Sequence, residues 1–528
     1  MQFDSTDGSI YSLSYGGQKV FKDGCGPHLD AFRAWVNNDN WVYQNWYANG
    51  LHNLKHKARN HQVMKNSDGS VSVAYNIESQ APYGARLEGG DRNWKRLTEQ
   101  TDKPFGADDF KFLQDVVYTV FPDGSIQVEA AINSNNPQLI LPRLGYVMNV
   151  PSAMDNFCYY GRGPIDNYPD RKTSQNVGIY NNKVAKEFEN FPKPQDTGNH
   201  QDTRWCQLTT DGGQGVLFVG RNPMSVSVLP WTAQELAMAN HPHELPTSSG
   251  NWLHLDVAIT GLGGNSCGQG GPLEYDRVKA GPHTFGFVIR PAKSQQPTAS
   301  ALNPSFSGMT PLVITRNAEG TVSISSAKME QGDHQDIWYK VIPANASAKA
   351  GKAQQYSGPF NLREGGTVIA YEKKNESQVE FKQQFAKVER VPVTVMFASS
   401  VESGEGDAAY LVDGNPNTYW HTMWSVTVAN YPHWVDFDCG TTKTLKGFSY
   451  LPRQDSRNGN IKQYRVQLST DGKTWGNPVC EGQFENNQKE KRVLFDKPQQ
   501  ARYLRFTALS SQDGQDFATG AEFSVLEQ

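Results

Sequence analysis

Residues 159–171 read Tyr-Tyr-Gly-Arg-Gly-Pro-Ile-Asp-Asn-Tyr-Pro-Asp-Arg and decide the fold of the first half of the chain. Prolines at positions 164 and 169 exclude a helix interior and a central strand, because proline has no amide hydrogen to donate. We therefore expect a rigid surface loop, held by an arginine–carboxylate network of Arg162, Asp166, Asp170 and Arg171.

This run resembles the Gly-Arg-Gly-Pro-x-x-Asn-Tyr-Pro-Asp-Arg motif of family 2 glycoside hydrolases that are β-galactosidases, in the domain after their catalytic barrel. Arg33, Ala34, Asn38 and Asp39 give a weaker match to the same domain. Further matches follow in the family's order at residues 141–145, 194–199, 202–205, 241–245, 252–256, 261–264 and 281–282. The resemblance covers residues 1–293 and implies a galactose-mutarotase-like super-sandwich.

The hydrophobic pattern of residues 1–293 predicts an all-β domain. Residues 116–121 and 125–132 alternate apolar and polar side chains around a Pro-Asp-Gly turn, which predicts a hairpin. Residues 70–77 alternate in the same way. One short helix is expected after Trp231, where Thr232 and Glu235 form a capping box.

Residues 294–303 are polar and flanked by proline, which indicates a linker. Residues 304–395 carry short strand signals at 312–314, 321–324, 337–342 and 367–371. Tyr-Ser-Gly-Pro-Phe at 356–360 and Gly-Gly-Thr-Val at 365–368 resemble a small immunoglobulin-like β-sandwich, so we expect a spacer domain.

Residues 396–528 form a separate predicted unit. Ala-Ala-Tyr-Leu-Val-Asp-Gly-Asn-Pro-Asn-Thr-Tyr-Trp at 408–420 is followed by alternating strands around an Asp-Gly turn at 471–472 and by a third strand at 501–506. This pattern is typical of an antiparallel jelly-roll β-sandwich. It resembles a discoidin domain and, more narrowly, carbohydrate-binding module family 32.

Oxygen-bearing residues gather at the start of this last unit and near its end. A hard cation needs several oxygen ligands from a tight turn. The discoidin resemblance implies a structural calcium ion, held by side chains and backbone carbonyls; a metal-free Asx turn is the alternative. The side-chain ligands would be Asp413, Thr418 and Glu522, and the carbonyl ligands Tyr410, Asn415 and Ala521.

The same resemblance implies a galactose site on loops at one end of the sandwich. Phe517 and Trp424 would offer aromatic faces to the apolar face of the sugar. His421, Arg453 and Asn458 would make hydrogen bonds to its hydroxyl groups. A single shallow site of this kind should bind galactose-containing glycans with a dissociation constant of about 0.1–1 mM.

Bulk composition limits the other partners. Lys+Arg 50 against Asp+Glu 54 gives a net charge of −4, which does not favour nucleic acid. No apolar run is long enough to span a membrane. The six cysteines have no Cys-x-x-Cys spacing that would indicate zinc. The sequence neither assigns nor excludes disulfide bonds, and it allows a homo-oligomer. We expect a periplasmic or extracellular protein whose export signal preceded Met1 in a longer chain.

A retaining glycosidase needs two carboxylates about 5 Å apart. The resemblance implies that both lie in an upstream catalytic barrel, so no catalytic residue is assigned here. Loop 265–272 has no tryptophan, although the family often has one there that reaches the active site. The leading hypothesis is that the chain is the C-terminal, non-catalytic portion of a β-galactosidase. One alternative is a free-standing galactose-binding lectin. The other is a mutarotase-like epimerase that would use His200, His254 and Glu244.

Overall fold

The computed structural model describes residues 1–89, 95–99, 104–263, 271–317, 319–330, 332, 335–343, 351–373 and 378–528. Strands dominate all three successive units, and each unit has its own buried apolar cluster. The predicted all-β fold class is confirmed.

The first unit is built on a large branched sheet with a few short helical turns. Its strands are Gln2–Phe3, Ile10–Ser12, Ser14–Tyr15, Gln18–Lys19, His28–Asp30, Lys55–Lys65, Val71–Gln80, Ala85–Glu88, Arg96–Glu99, Phe112–Val120, Ile126–Ser134, Ile140–Leu141, Arg143–Val150, Asn156–Gly163, Asn176–Lys183, Asn199–Thr209, Gly215–Leu229, Asn251–Ile259, Val278–Lys279 and His283–Ala292. Its α-helices are Tyr43–Ala48 and Ala233–Met238, and 3₁₀ turns cover Asn37–Trp41, Leu51–Asn53, Val184–Lys186, Pro242–Glu244 and Glu274–Asp276.

The last strand of this unit, His283–Ala292, lies in the middle of the sheet. On one side it pairs with Ile126–Ser134, which continues through Phe112–Val120 to the edge strand Lys55–Lys65. On the other side it pairs with Gly215–Leu229. Among the described residues, it is the only strand that joins these two halves by hydrogen bonds.

The long strand Gly215–Leu229 belongs to both layers of the unit. Residues 215–220 pair with His283–Ala292, whereas residues 225–229 pair with Asn251–Ile259. Between these two segments Pro223 offers no amide hydrogen, and the register with the neighbouring strand shifts. The chain therefore bends from one layer into the other, as a super-sandwich requires.

Local sequence signals in the first unit are largely confirmed. Phe112–Val120 and Ile126–Ser134 form the expected hairpin, and Thr232 accepts a hydrogen bond from the Glu235 amide at 3.1 Å to start the predicted helix. Helix Tyr43–Ala48 was not predicted, because aromatic and amide side chains fill it.

The expectation of a loop over residues 159–171 is wrong for its first five residues. Asn156–Gly163 is a strand that pairs on both sides, and the chain leaves the sheet only at Pro164. Each proline removes only its own amide hydrogen and favours extended backbone in the residue before it, so the glycine-rich segment that precedes Pro164 is free to pair.

The second unit is a small two-sheet sandwich, as the immunoglobulin-like expectation predicts. Its strands are Val313–Arg316, Thr321–Ser325, Ile337–Ile342, Gln354–Gln355, Phe360–Asn361, Gly366–Glu372 and Phe381–Phe385, with a short helix Ala327–Glu330. All four predicted strand segments lie within or overlap these strands.

The spacer sandwich packs directly on the first unit. Met64, Ala74 and Val117 from the outer face of the large sheet share one apolar cluster with spacer residues. Gln62 and Glu380 exchange two hydrogen bonds of 3.1 Å, each between the Gln62 amide and the Glu380 backbone. The linker also lies against the first unit, since Gln207 Nε2 donates to two of its carbonyls.

The third unit contains a seven-stranded sheet and a two-stranded ribbon. Its strands are Arg390–Val391, Thr394–Ala398, Trp420–His421, His433–Leu451, Ile461–Ser469, Cys480–Gln483, Lys491–Ser511, Thr519–Gly520 and Glu522–Glu527, and a 3₁₀ turn covers Ala408–Val412. In the ribbon, Trp420 lies opposite Gly520 and His421 opposite Thr519. The five cysteines among the described residues are free thiols.

Replacing Val117 by aspartate should undock the spacer. Val117 is fully buried at this contact, so the variant would enclose an unpaired carboxylate at a cost of several kcal/mol. We expect limited proteolysis to cut the linker at residues 294–303 markedly faster than in the wild type. Val63→Asp is the matched control, because Val63 lies in the same sheet and is 63% exposed. Equal cleavage of Val117→Asp and wild type would contradict this account of the docking.

Candidate functional site

Three sequence motifs of the first unit meet at residues 260–263. The fully buried Arg33 guanidinium donates to the carbonyls of Thr260 at 2.5 Å and Gly261 at 3.3 Å. Asp170 accepts hydrogen bonds from the amides of Leu262 at 3.0 Å and Gly263 at 2.8 Å. The start of the loop that follows is therefore fixed from two sides.

Asn38 and Asp39, the second part of the weak N-terminal match, complete this arrangement. Asn38 Nδ2 donates to the Gly263 carbonyl at 3.1 Å. Asp39 is buried and pairs with Arg33 at 2.8 Å, while its second oxygen accepts from the Val36 amide. Loop residues 264–270 lie outside the described residues, so the absence of tryptophan there stays a sequence observation.

The predicted network of Arg162, Asp166, Asp170 and Arg171 forms only in part. Arg171 pairs with Asp166 at 2.5 Å. Arg162 instead pairs with Asp202, and Asp170 binds backbone amides. The expectation of one four-residue network is wrong, because Arg162 lies near the end of a strand whose neighbour, Asn199–Thr209, supplies the carboxylate of Asp202.

The structure does not bring His200, His254 and Glu244 to one cavity. His200 Nε2 lies 2.7 Å from Glu187, and His254 Nδ1 lies 3.2 Å from Asp30, in both cases with little exposure. Glu244 is exposed and contacts His241. Each group has its own local partner, so no shared acid–base pair of the mutarotase kind is formed by these residues.

In the third unit, His421 occupies the ribbon beside Phe517. Its Nδ1 lies 2.6 Å from the Thr422 carbonyl, which can only accept, so Nδ1 carries the proton and Nε2 is an acceptor. Among the described residues Nε2 has no hydrogen-bonding partner. Burial lowers the pKa of His421, which keeps the ring neutral at neutral pH. The Phe517 ring centroid is 5.4 Å from that of His421.

Two residues orient Arg453, which interacts electrostatically with His421. Its guanidinium carbon lies 3.7 Å from the Tyr419 ring centroid, and Nη2 donates to Asp455 at 2.9 Å. The Tyr419 ring is in turn 6.5 Å from His421, and its hydroxyl donates to Glu405 at 3.1 Å. Arg453 is thus oriented by a stacked ring and a carboxylate before any ligand binds.

Asn458 lies on the loop next to Phe517. Its carbonyl accepts from the Thr519 hydroxyl at 3.0 Å, and a β-carbon at Gly459 would come within 3.0 Å of the Phe517 side chain. The amide group of Asn458 is exposed. The structure therefore brings His421, Arg453, Asn458 and Phe517 together.

Trp424 is connected to His421 only through Glu402. The Glu402 amide donates to the His421 carbonyl at 2.7 Å, and the Glu402 carboxylate accepts from the amides of Trp424 at 2.7 Å and Ser425 at 3.0 Å. The Trp424 side chain is 47% exposed and no ring contact to the other four residues is formed. It lies at the edge of the group rather than inside it.

The predicted metal ligands form a compact oxygen-rich turn. Thr418 Oγ1 lies 2.8 Å from Asp413 Oδ2 and 2.7 Å from the Asn415 carbonyl. Tyr410 is in the 3₁₀ turn Ala408–Val412, which Asp413 follows directly, and Ala521 immediately precedes Glu522.

Glu522 shows that this turn fits a cation. Burial and the neighbouring Asp413 carboxylate raise the pKa of Glu522 to about 8. Its Oε1 is buried and has no hydrogen-bonding partner among the described residues. Two adjacent carboxylates with a buried orphan oxygen are a donor set that a hard divalent cation satisfies.

Sequence reasoning missed Tyr419, Glu402 and Asp455. Tyr419 had a usable signal, because it lies two positions before His421 and directly ahead of strand Trp420–His421. Glu402 and Asp455 gave none, since their roles come from loop conformation.

Comparison with known proteins matches both ends of the chain to families. The model described as beta galactosidase small chain matches residues 1–289, more than half of the chain, and the F5/8 type C domain model matches residues 396–523. No helix in the described part of the chain is long and apolar enough to cross a membrane.

Individual relatives are similar over parts of the chain. A β-galactosidase of Halalkalibacterium halodurans is 26% identical over 297 residues, which are 54% of this chain and 26% of that protein. A sialidase of Micromonospora viridifaciens is 41% identical over 125 residues, or 24% of this chain and 19% of that one. The family 32 carbohydrate-binding module of NanJ from Clostridium perfringens, solved in complex with galactose, is 32% identical with a TM-score of 0.24 and covers 26% of this chain and 98% of that one. The matched part of this chain spans about a quarter or less of these two curated relatives.

Proposed function

The chain belongs to the beta galactosidase small chain family, and we propose that it is the non-catalytic, C-terminal portion of an exported β-galactosidase. The discoidin-type carbohydrate-binding domain that follows would target the enzyme to galactose-containing glycans. The parent reaction would be hydrolysis of terminal β-galactosides with retention, using two carboxylates of an upstream barrel. We place the protein in the periplasm or outside the cell, where such glycans are found.

The His421 acceptor beside an aromatic face is the observation that carries the galactose proposal. Nε2 has no partner among the described residues, so a sugar hydroxyl that donates to it satisfies a nearly buried group. Phe517 would stack on the apolar face of the sugar. Arg453, already oriented by Tyr419 and Asp455, would donate to a second hydroxyl.

A calcium ion would stabilise the ribbon that carries His421. We propose that the side chains of Asp413, Thr418 and Glu522 hold the ion, together with the carbonyls of Tyr410, Asn415 and Ala521. When bound, the ion neutralises the two adjacent carboxylates.

The first unit would form a wall of the parent's active site. The support for this role is the meeting of three motifs at residues 260–263, where buried groups hold the start of the following loop. Preorganised loop ends are typical of segments that position substrate.

Galactose titration of the full chain tests the leading proposal. We expect a dissociation constant of about 0.1–1 mM by calorimetry and no turnover of a chromogenic β-galactoside. Phe517→Ala and Arg453→Ala should each weaken binding about tenfold or more, and Trp424→Ala by less, because Trp424 lies at the edge. Turnover that survives repurification, or wild-type affinity in Phe517→Ala, would contradict the proposal.

The pH dependence of galactose binding tests the role of His421. Because burial lowers its pKa, Nε2 should stay an acceptor and affinity should stay nearly constant from pH 8 to pH 7. On further acidification, protonation of Nε2 should remove the acceptor and weaken binding. His421→Gln is the control, since its amide oxygen accepts at every pH and its profile should be flat. Wild-type affinity that falls no more than that of His421→Gln on acidification would refute this role.

Calcium removal tests the metal proposal. Adding calcium at a hundred times its dissociation constant should stabilise the last domain by about 2.7 kcal/mol, measured as slower amide hydrogen exchange in residues 519–527. Chelator should reverse the effect, and Asp413→Asn should reduce it. Glu481→Ala, an exposed change on another strand, should leave it intact. Identical exchange in calcium and chelator would eliminate the proposed ion.

A further inference from the structure

We infer a transition-metal site at His241, His243 and Glu244, on the surface of the first unit and independent of the proposed function. One ligand atom from each residue lies within 4.8 Å of the other two. In the described part of the chain no other group of three such residues meets this condition.

The backbone brings the three side chains together. Residues 242–244 form a 3₁₀ turn between helix Ala233–Met238 and strand Asn251–Ile259. Three residues per turn place His241 and Glu244 on one side, and Pro242 fixes the start of the turn. The two imidazole rings lie nearly parallel, with centroids 5.4 Å apart.

Glu244 is positioned before any ion binds. Its Oε2 accepts from the Asn240 amide at 2.8 Å, which leaves Oε1 directed at His241 Nδ1, 2.9 Å away. A cation between Oε1 and Nδ1 would take the place of the shared proton.

The donor set selects a class of ion. Two imidazole nitrogens and one carboxylate oxygen suit zinc, copper or nickel, whereas calcium and magnesium prefer oxygen ligands alone. Ligand atoms around zinc lie about 2.0–2.2 Å from the ion, so the three groups must close by small side-chain rotations. Side-chain exposure of 61% for His241 and 37% for Glu244 permits this.

Three protein ligands leave at least one coordination position open. Around zinc that position takes water or a ligand from another molecule. The Lys95 ammonium, which interacts electrostatically with Glu244, donates its hydrogen bonds to the carbonyls of Ala237 at 2.8 Å and Ala239 at 2.7 Å. The site is thus an exposed three-ligand site.

Metal titration of the untagged full chain, in saturating calcium, tests the site. We expect one zinc ion to bind with a dissociation constant on the order of 1–10 µM by calorimetry. With copper as the probe, the electron paramagnetic resonance spectrum should show coupling to imidazole nitrogen. His241→Ala and His243→Ala should each weaken zinc binding at least about tenfold and reduce that nitrogen coupling.

His61→Ala is the matched control, because His61 is also an exposed histidine of the first unit. It should bind zinc as the wild type does. The inference is overturned if His241→Ala and His243→Ala keep wild-type affinity and spectrum, or if His61→Ala loses affinity equally. All three histidines are on the surface, so none of these substitutions should unfold the protein. Galactose binding in the third unit should be unchanged in every variant.

Discussion

The buried guanidinium of Arg33 is the constraint on which the functional end of the first unit depends. It is fully enclosed, and its charge is balanced by Asp39 and by the carbonyls of Thr260 and Gly261. Removing one partner of such a buried pair typically costs about 3–5 kcal/mol, because the other charge is left without compensation. The pair therefore ties the beginning of the unit to a segment more than 220 residues later, and it fixes the position of residues 260 and 261.

Sequence predicted those features whose causes are local. The capping box of Thr232 and Glu235 is three residues long, and the hairpin around Pro122-Asp123-Gly124 needs only alternation and a turn, so both could be read directly. The motifs at Arg33 and at residues 261–264 were also visible. Their contact was not, since no pattern within either motif encodes a partner so far away. The prolines misled the prediction for residues 159–163 because a proline removes only its own amide hydrogen and favours extended backbone in the residue before it.

The same distinction applies to the third unit. Family resemblance supplied His421, Arg453, Asn458 and Phe517, and folding brings these four into one group. It did not supply the orientation of Arg453, which depends on a ring at position 419 and a carboxylate at position 455. Nor did it predict that Trp424 would lie apart, held through Glu402. Residue types come from the motif, whereas side-chain orientation comes from loops that converge only in the folded domain.

The central position of strand His283–Ala292 has a consequence for how the chain is made. During synthesis the half-sheet that contains Ile126–Ser134 emerges early, yet its inner edge has no strand to pair with until residue 292 has left the ribosome. Pairing across more than 150 residues carries a large loop-closure cost and is slow. Until then the exposed edge is a template for association with other chains. The spacer, which covers the outer face of the same half-sheet, is synthesised immediately afterwards. The sheet can therefore close first, and its outer face is buried next.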